Sequence, residues 1–264
     1  MNTQKLPLLV STAALALGCL LSNVSAQVLF QEDWENTTIT ATGGAIVTKT
    51  EGAGTWTSAF FNGATNSGNN NLSIRNDVPP TVGGSHSVRY YDASGAGNIP
   101  VLAATFSSST TSALSVAFDY KVMAGGDGVP ALALRSSNNT VGFALNLYNN
   151  GKLTLGGTET ISITTNAWYH VEITTSIAGT AGELTVSVRK HGEQNVETIT
   201  GSFTTNLDDY NSLRFNSASG STTDYYLDNI TVTAIPEPAT KAYVSIIGLV
   251  GLLLWFRRCR CAKA

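Results

Sequence analysis

The feature that most constrains the fold is the alternation of apolar and polar residues in short runs between residues 27 and 234. In one such run, Leu114, Val116 and Phe118 would share one side of an extended strand. A period of two indicates β-strand, and the Gly, Asn and Ser clusters between the runs indicate turns. The pattern predicts an all-β protein, an antiparallel β-sandwich.

Twelve runs carry this pattern strongly enough to be predicted as strands. They cover residues 55–61, 87–91, 101–106, 113–122, 131–135, 141–148, 152–155, 168–175, 183–190, 196–203, 212–215 and 225–233. Asn149-Asn150-Gly151 predicts a hairpin turn, because Asn and Gly tolerate positive φ. Residues 62–71 are expected to be a polar loop. With no proline-rich linker among them, the strands predict a single domain over residues 27–234.

The amino terminus has the pattern of a secretory signal peptide. Lys5 precedes an apolar stretch, Leu6–Leu21, and Val24-Ser25-Ala26 supplies small residues for cleavage before Gln27. The sequence therefore predicts a signal helix within residues 1–26. A lipoprotein signal ending at Cys19 is an alternative, although the leucine usual three residues before such a cysteine is absent.

The carboxyl terminus combines a proline spacer, an apolar segment and a basic end. Pro236-Glu237-Pro238 is followed by the apolar residues 242–256 and then by Arg257, Arg258 and Arg260. Fifteen helical residues would span about 22 Å, less than the ~30 Å hydrocarbon core of a bilayer. This pattern predicts a marginal transmembrane helix suited to a temporary anchor. A tail anchor that is never removed is the alternative.

The order of these three features resembles the PEP-CTERM sorting signal of Gram-negative bacteria, over residues 235–264. The resemblance implies an exosortase as the processing partner, with cleavage near Pro236, Glu237 and Pro238. It also implies a transient inner-membrane anchor, followed by release to the cell surface or the extracellular matrix.

Charge and cysteine content narrow the functions of the central domain. Residues 27–235 contain 9 Lys and Arg against 17 Asp and Glu, a net charge of −8. Such an acidic domain argues against binding to nucleic acid or to anionic membranes. Cys19, Cys259 and Cys261 all lie outside it, so the domain is expected to have no disulfide and no thiol chemistry.

Several short motifs resemble the second half of a laminin G or concanavalin-like jelly roll. They are residues 150–153, 167–173 and 184–188, and residues 226–232 are similar to the last strand of that superfamily and of related carbohydrate-binding modules. The resemblance implies a jelly-roll fold. Trp168 is expected to lie in its core.

The acidic residues near the start of the domain allow two interpretations. Jelly-roll glycosidases place paired acids on one face of a strand, but the adjacent Glu32 and Asp33 would point to opposite faces. In many jelly-roll modules the first and last strands are neighbours and hold one Ca²⁺ ion. By that resemblance, Asp33 or Glu35 would meet Asp228 at a structural calcium site. Solvated surface carboxylates are the alternative.

The remaining candidates for chemistry are histidines and aromatic residues. His86, His170 and His191 are too scattered along the sequence to predict a metal triad, and no catalytic or ligand role is expected for them. Exposed aromatic rings stack on sugars, and the candidates are Trp34, Trp56, Tyr90, Tyr91, Tyr148 and Tyr210. Most of the six are expected in the core, with Trp56 and Tyr91 taken as the ligand-binding residues.

Three functions are compatible with these observations. The first is an exported, non-catalytic surface or matrix protein with a polysaccharide as its candidate ligand. The second is a structural surface protein with no glycan ligand. The third, a polysaccharide-degrading enzyme, is disfavoured because no acid pair has a suitable spacing. The sequence predicts the first, and no enzymatic activity.

Overall fold

The structure is a computed structural model of the chain. It describes residues 26–35, 44–45, 48–50, 55–60, 70–76, 84–93, 100–124, 131–148, 150–155, 159–179, 182–216 and 222–236. Within them, Gln27–Ile235 is one compact unit. The predicted signal peptide and apolar tail lie outside the described residues, except for Ala26. No helix in the described part of the chain is long and apolar enough to cross a membrane.

The described residues form β-strands joined by turns and irregular segments, with no helix. The strands are β1 (Gln27–Glu32), β2 (Gly44–Ala45), β3 (Thr48–Thr50), β4 (Thr55–Phe60), β5 (Asn70–Arg75), β6 (Ser87–Asp92), β7 (Pro100–Thr110), β8 (Leu114–Val122), β9 (Ala131–Arg135), β10 (Val141–Tyr148), β11 (Lys152–Leu155), β12 (Glu159–Ser162), β13 (Trp168–Thr175), β14 (Glu183–Lys190), β15 (Val196–Ser202), β16 (Tyr210–Asn216) and β17 (Thr223–Ala234).

These strands make two antiparallel sheets. The first sheet has the order β15-β14-β13-β8-β17-β6-β5-β2, and β1 also pairs with β17. The second sheet has the order β12-β11-β10-β9-β16-β7-β4-β3. The predicted all-β antiparallel sandwich is confirmed.

All twelve predicted strands are present, and five others were not predicted. The additional strands are β1, β2, β3, β5 and β12. β5 begins at Asn70, so the prediction of a polar loop through residue 71 is wrong at its end. Pairing with β6 along the whole of β5 supplies the backbone hydrogen bonds that its polar sequence did not suggest.

The core lies between the sheets and is built from alternate residues of each strand. In β8, the side chains of Val116, Phe118 and Tyr120 are fully buried. Phe118 meets Phe215 of the second sheet edge to face, with ring centroids 5.8 Å apart. The Tyr120 hydroxyl donates to the Leu147 carbonyl across the core at 3.2 Å. The predicted inward face of β8 is therefore confirmed.

Trp168 is buried, as the sequence predicts, but it lies on the outer face of the first sheet and not in the cluster between the sheets. Cross-strand pairs place Tyr169 opposite the core residue Tyr120, whereas Trp168 stands opposite Lys121 on the other face of the first sheet. Trp168 is nevertheless 7% exposed. Tyr226 and His191 cover its ring on the outside of the sheet.

The predicted hairpin between β10 and β11 is confirmed. β10 ends at Tyr148 and β11 begins at Lys152, and the two strands pair antiparallel. Gly151 has a φ of 82° and donates its N–H to the Tyr148 carbonyl at 3.3 Å. Glycine adopts this left-handed conformation without the clash that a Cβ would cause.

Candidate functional site

A buried carboxylate on the outer face of the first sheet organises the most distinctive polar cluster of the described residues. Asp119 is in β8, opposite His170 of β13 and Asp228 of β17, and is 4% exposed. Asp119 Oδ1 lies 2.9 Å from His170 Nδ1 and 3.1 Å from His191 Nε2. Its other oxygen, Oδ2, accepts from Asn229 Nδ2 at 2.7 Å.

These contacts keep Asp119 ionised in spite of its burial. Burial alone would raise the pKa of Asp119. Hydrogen bonds from His170 and Asn229, together with the nearby His191 ring, outweigh that effect and hold the pKa below its ordinary value. A carboxylate held in this way is a stable acceptor for the groups around it.

The shared carboxylate also selects the tautomers of the two histidines. An ionised carboxylate can only accept, so His170 Nδ1 and His191 Nε2 must both carry the proton. In the neutral ring, His170 Nε2 is then an acceptor. The His170 side chain is 36% exposed, so this nitrogen belongs to a ring that solvent and ligands can reach.

A backbone irregularity in β17 brings Asn229 into the cluster. The register of β17 against β8 shifts between Asp228 and Thr231, and Asn229 has a φ of 49°. Asparagine tolerates the left-handed region better than most residues. A β-bulge of this kind turns a side chain toward a new partner, and here the partner is Asp119.

The polar cluster forms the floor of an open cleft of about 510 Å³. We call it the Asp119 cleft. Its lining residues are Asp119, His170, Arg189, His191, Gly192, Glu193, Gln194 and Asn229. The cleft therefore presents carboxylate, imidazole, guanidinium and amide groups together, a mixture suited to hydrogen bonding with a polar ligand.

Next to the Asp119 cleft, aromatic rings and one guanidinium form a row across three strands and the turn after β14. We call it the aromatic row: Tyr91, Arg89, Tyr226, Trp168 and His191. The Arg89 guanidinium lies 4.5 Å from the Tyr91 ring centre and 6.0 Å from that of Tyr226. Trp168 lies 6.5 Å from Tyr226 and 6.4 Å from His191, centroid to centroid. Because His191 also lines the cleft, the two surfaces are continuous.

Asp224 holds Arg89 in this row. Arg89 donates from Nε and Nη2 to the two carboxylate oxygens of Asp224, at 2.9 and 2.7 Å. This bidentate ion pair raises the pKa of Arg89. The stacked guanidinium is therefore fixed in position, and its charge is balanced.

A second group of carboxylates gathers where β1 ends and β6 begins. Glu35 accepts from the Ser85 hydroxyl at 2.7 Å and from the backbone N–H groups of Ser85 and His86 at 2.7 and 2.8 Å. A Cβ at position 84 would clash with Glu35 Oε1 and lie 3.7 Å from Asp228 Oδ2. Gly84 thus leaves room for the Glu35 carboxylate close to Asp228.

Asp228 is the buried member of this group. It is fully buried, and its Oδ2 has no hydrogen-bond partner in the described structure. Burial, together with the charges of Asp119, Glu35 and Asp33, raises the pKa of Asp228 to about 8.

The oxygen chemistry of this group suits Ca²⁺, and the buried Asp228 Oδ2 lacks a partner. In the described residues, however, no three Asp, Glu, His or Cys side chains are placed to hold a metal ion together. The predicted calcium residues Asp33, Glu35 and Asp228 therefore lie near one another, but their side chains do not surround one common position. Calcium binding stays a prediction.

The other predicted site residues have different positions. Tyr91 is half-buried on the outer face of the first sheet, in the aromatic row. Trp56 is in β4 opposite Ala104, but its side chain is outside the described part of the structure. Pro236 is the last described residue, and Glu237, Pro238, Arg257, Arg258 and Arg260 lie beyond it.

Of the six aromatic candidates for sugar stacking, the three residues Trp34, Tyr90 and Tyr210 are in the core. Tyr148 is half-buried. Two of the histidines share a hydrogen-bond partner that the sequence did not indicate. The register places His170 beside Asp119, and the turn after β14 returns His191 to the same oxygen. Their wide separation along the chain gave no signal of this cluster.

Comparisons with known proteins concern the fold. No family model and no curated protein matches this chain. Among solved structures, a sialidase is similar over 83% of this chain at 12% identity and a TM-score of 0.51. The chain spans 19% of that sialidase's length.

Two other similar structures are a family 11 carbohydrate-binding module of a cellulosomal cellulase from Clostridium thermocellum and peanut lectin. The module is 16% identical over 83% of this chain and 99% of its own, with a TM-score of 0.40. The lectin is 12% identical over 70% of this chain and 99% of its own, with a TM-score of 0.42. The finer laminin G or concanavalin-like assignment stays a prediction.

Proposed function

We propose that this protein is a non-catalytic glycan-binding protein whose ligand lies across the aromatic row and into the Asp119 cleft. The supporting observation is their continuity through His191, which lies 6.4 Å from Trp168 and lines the cleft. Sugar rings have apolar faces that pack on aromatic rings and hydroxyl groups that need fixed polar partners. The half-buried Tyr91 would supply the apolar contact, because Trp168 and Tyr226 are buried, and the cleft would supply the polar partners.

The polar groups of the cleft are matched to hydroxyl ligands. His170 Nε2 in the neutral ring accepts a hydroxyl proton, and Arg189 and Gln194 donate hydrogen bonds. Because Asp119 fixes the orientation of both imidazoles, a ligand would lose little free energy in ordering them. Binding is proposed instead of catalysis because the buried acid of the cleft, Asp119, already accepts three hydrogen bonds.

The half-buried Tyr91 provides the test of this function. We expect Tyr91→Ala to weaken binding to a retained polysaccharide at least about fivefold, the equivalent of 1 kcal/mol. The measurement is affinity electrophoresis of the full chain in mild detergent, through gels that contain the source cell's own exopolysaccharide. Tyr148→Ala is the matched control, because Tyr148 is a half-buried tyrosine in the second sheet.

Equal loss of retention in Tyr91→Ala and Tyr148→Ala would contradict the proposed surface. If the unaltered chain is not retained by the exopolysaccharide or by any glycan tested, the glycan-binding function is wrong. The structural surface protein would then be the better interpretation.

Export and sorting belong to the same proposal. The signal-peptide pattern of residues 1–26 and the resemblance of residues 235–264 to a PEP-CTERM signal support delivery to the cell surface or matrix. An exosortase would be the processing partner. The net charge of −8 over residues 27–235 suits a hydrated extracellular setting and no nucleic-acid ligand.

A structural calcium ion is the proposed cofactor. Asp33, Glu35 and Asp228 would supply oxygen ligands, with backbone carbonyls completing the six to eight that Ca²⁺ takes. The buried, unpartnered Asp228 Oδ2 beside Glu35 supports this assignment. The role of the ion would be to balance negative charge where the first and last strands meet.

A further inference from the structure

The carboxylates near the Asp119 cleft are mostly occupied by partners within the protein. Asp119 is held by His170, His191 and Asn229. Asp224 is ion-paired with Arg89, and Glu193 with Lys190 at 2.7 Å. The oxygens of Asp119 are therefore occupied by hydrogen bonds, and the charges of Asp224 and Glu193 are balanced by neighbouring cations.

Two cations on the same face, unlike these carboxylates, have no partner among the described residues. Arg189 is an exposed residue that lines the cleft, and in the described structure its guanidinium has no hydrogen bond or ion pair. Lys121 is half-buried between Trp168 and Tyr226, and its ammonium likewise has no partner among the described residues. Glu172 also lies on this face, but its carboxylate pairs with neither cation and accepts from Ser115 instead.

The sheet sets the separation of these cations. Arg189 stands opposite His170, and Lys121 stands opposite Trp168, two residues earlier on β13. Strands about 4.8 Å apart, with a rise of about 3.4 Å per residue, put the two Cα atoms about 12 Å apart. The line between them crosses β13 beside Trp168 and passes over the cleft. A short stretch of polysaccharide lying on the aromatic row could therefore reach both cations.

We propose that the glycan is an acidic polysaccharide, with uronate carboxylates that pair with Arg189 and Lys121. The inference rests on the proposed glycan-binding function and names the ligand class of that same site. Arg189 can bind a carboxylate with two parallel hydrogen bonds, and Lys121 supplies a point charge beside the rings of Trp168 and Tyr226. A neutral glycan would leave both charges without a partner.

The overall charge of the domain does not oppose this inference, because recognition is local. At about 0.15 M salt, charges more than about 8 Å apart are largely screened at a protein surface. Exposed ion pairs are individually weak, so replacing one cation should lower affinity by about fivefold or less for a single contact. Repeated charges along a polymer multiply the effect, and added salt should weaken it.

The test compares acidic and neutral polysaccharides on the full chain in mild detergent. Alginate supplies uronate carboxylates, dextran sulfate supplies sulfate groups, and laminarin is the neutral probe. We expect retention by alginate to exceed retention by laminarin and to fall as NaCl rises from 0.05 to 0.3 M, a range of about sixfold chosen around physiological ionic strength. Arg189→Gln and Lys121→Gln should each reduce alginate retention about fivefold, and Arg189→Lys should reduce it less.

Arg135→Gln is the matched control, because it removes an arginine from the second sheet. It should leave alginate retention unchanged. Melting temperatures of all variants separate lost binding from lost folding.

The outcomes separate the inference of an acidic ligand from the proposed glycan-binding function on which it rests. Equal retention on laminarin and alginate, with no effect of Arg189→Gln, would overturn the acidic ligand and leave glycan binding intact. Retention on dextran sulfate but not on alginate would contradict the proposal that uronate carboxylates are the anionic groups recognised. An equal loss in Arg135→Gln and Arg189→Gln would show a general charge effect and also overturn the inference. No retention on any glycan would overturn the proposed function itself.

Discussion

Asp119 and Asp228 stand directly opposite each other in neighbouring strands, yet their surroundings differ. Asp119 receives hydrogen bonds from three side chains, and its pKa is lowered. Asp228 receives one hydrogen bond at Oδ1, from the Asn229 N–H at 2.8 Å, and its pKa is raised mainly by burial. A bound cation would stabilise the charged form of Asp228, which no group of the described chain does at Oδ2.

At this residue scale, calcium is expected to raise the thermal stability of the full chain. At about a hundredfold excess of Ca²⁺ over its Kd, the gain would be about 2.7 kcal/mol. For a domain of about 200 residues, each kcal/mol shifts Tm by about 2–4 °C. The measurement is thermal unfolding with millimolar Ca²⁺ and with chelator. Asp228→Asn should remove the difference, because it removes the charged oxygen.

The control for this experiment is Asp208→Asn. Asp208 is exposed in the segment between β15 and β16, so its variant should keep the full calcium response. Identical melting of the unaltered chain in calcium and in chelator would contradict the calcium site.

At the element scale, β17 connects the parts of the first sheet. It is the longest strand, with 12 residues. Thr223–Leu227 pairs with β6, and Ile230–Ala234 pairs with β1, while β8 runs along both halves. The bulge falls where one neighbour ends and the other begins. This gap holds Glu35 after β1 and Gly84 before β6, so the acidic group follows from strand topology.

Because β17 has three partner strands, its core residues should carry a large share of the stability. Leu227 is fully buried, so Leu227→Ala should lower the free energy of unfolding by about 2–5 kcal/mol through lost burial and a cavity. Val196→Ala is the matched control, because Val196 is 52% exposed on the edge strand β15. It should change stability by no more than about 0.5 kcal/mol.

Equilibrium urea denaturation, followed by intrinsic fluorescence, measures both effects. Similar small losses for Leu227→Ala and Val196→Ala would mean that β17 is not central to the folded state.

At the scale of the whole molecule, Gln27–Ile235 is one compact unit. The division into a signal peptide, a single domain over residues 27–234 and a sorting signal stays a prediction. The compact unit contains the sandwich, the aromatic row and the Asp119 cleft. Export without the ends would therefore deliver every group of the proposed glycan site.

Processing makes a mass prediction for the exported protein. We expect the surface form to begin at Gln27 and to end near Pro236, because the signal patterns lie outside these positions. Intact mass spectrometry of fractionated cells measures both ends. Replacing Pro236, Glu237 and Pro238 with alanines should retain the protein in the inner membrane. Full export of this variant, or a surface form that keeps residues 242–256, would contradict the sorting proposal.

Much of the architecture could be predicted from the amino-acid sequence, because burial of one face of a strand gives its apolar residues a period of two. The runs that became β8, β13 and β14 show this period clearly. The strands β2, β3 and β12 were missed because they have two to four residues and little apolar alternation. Pairing with neighbours, and not local preference, defines such short elements.

Only the tertiary structure decided the site. His170, His191 and Asn229 are 51, 72 and 110 residues from Asp119 along the chain, and they meet through strand register, a turn and a bulge. Alternation along β13 places Trp168 on the outer face of the sheet, and only the tertiary contacts with Tyr226 and His191 bury it there. Local sequence sets which residues alternate, but pairing between distant strands sets which side chains share an outer face.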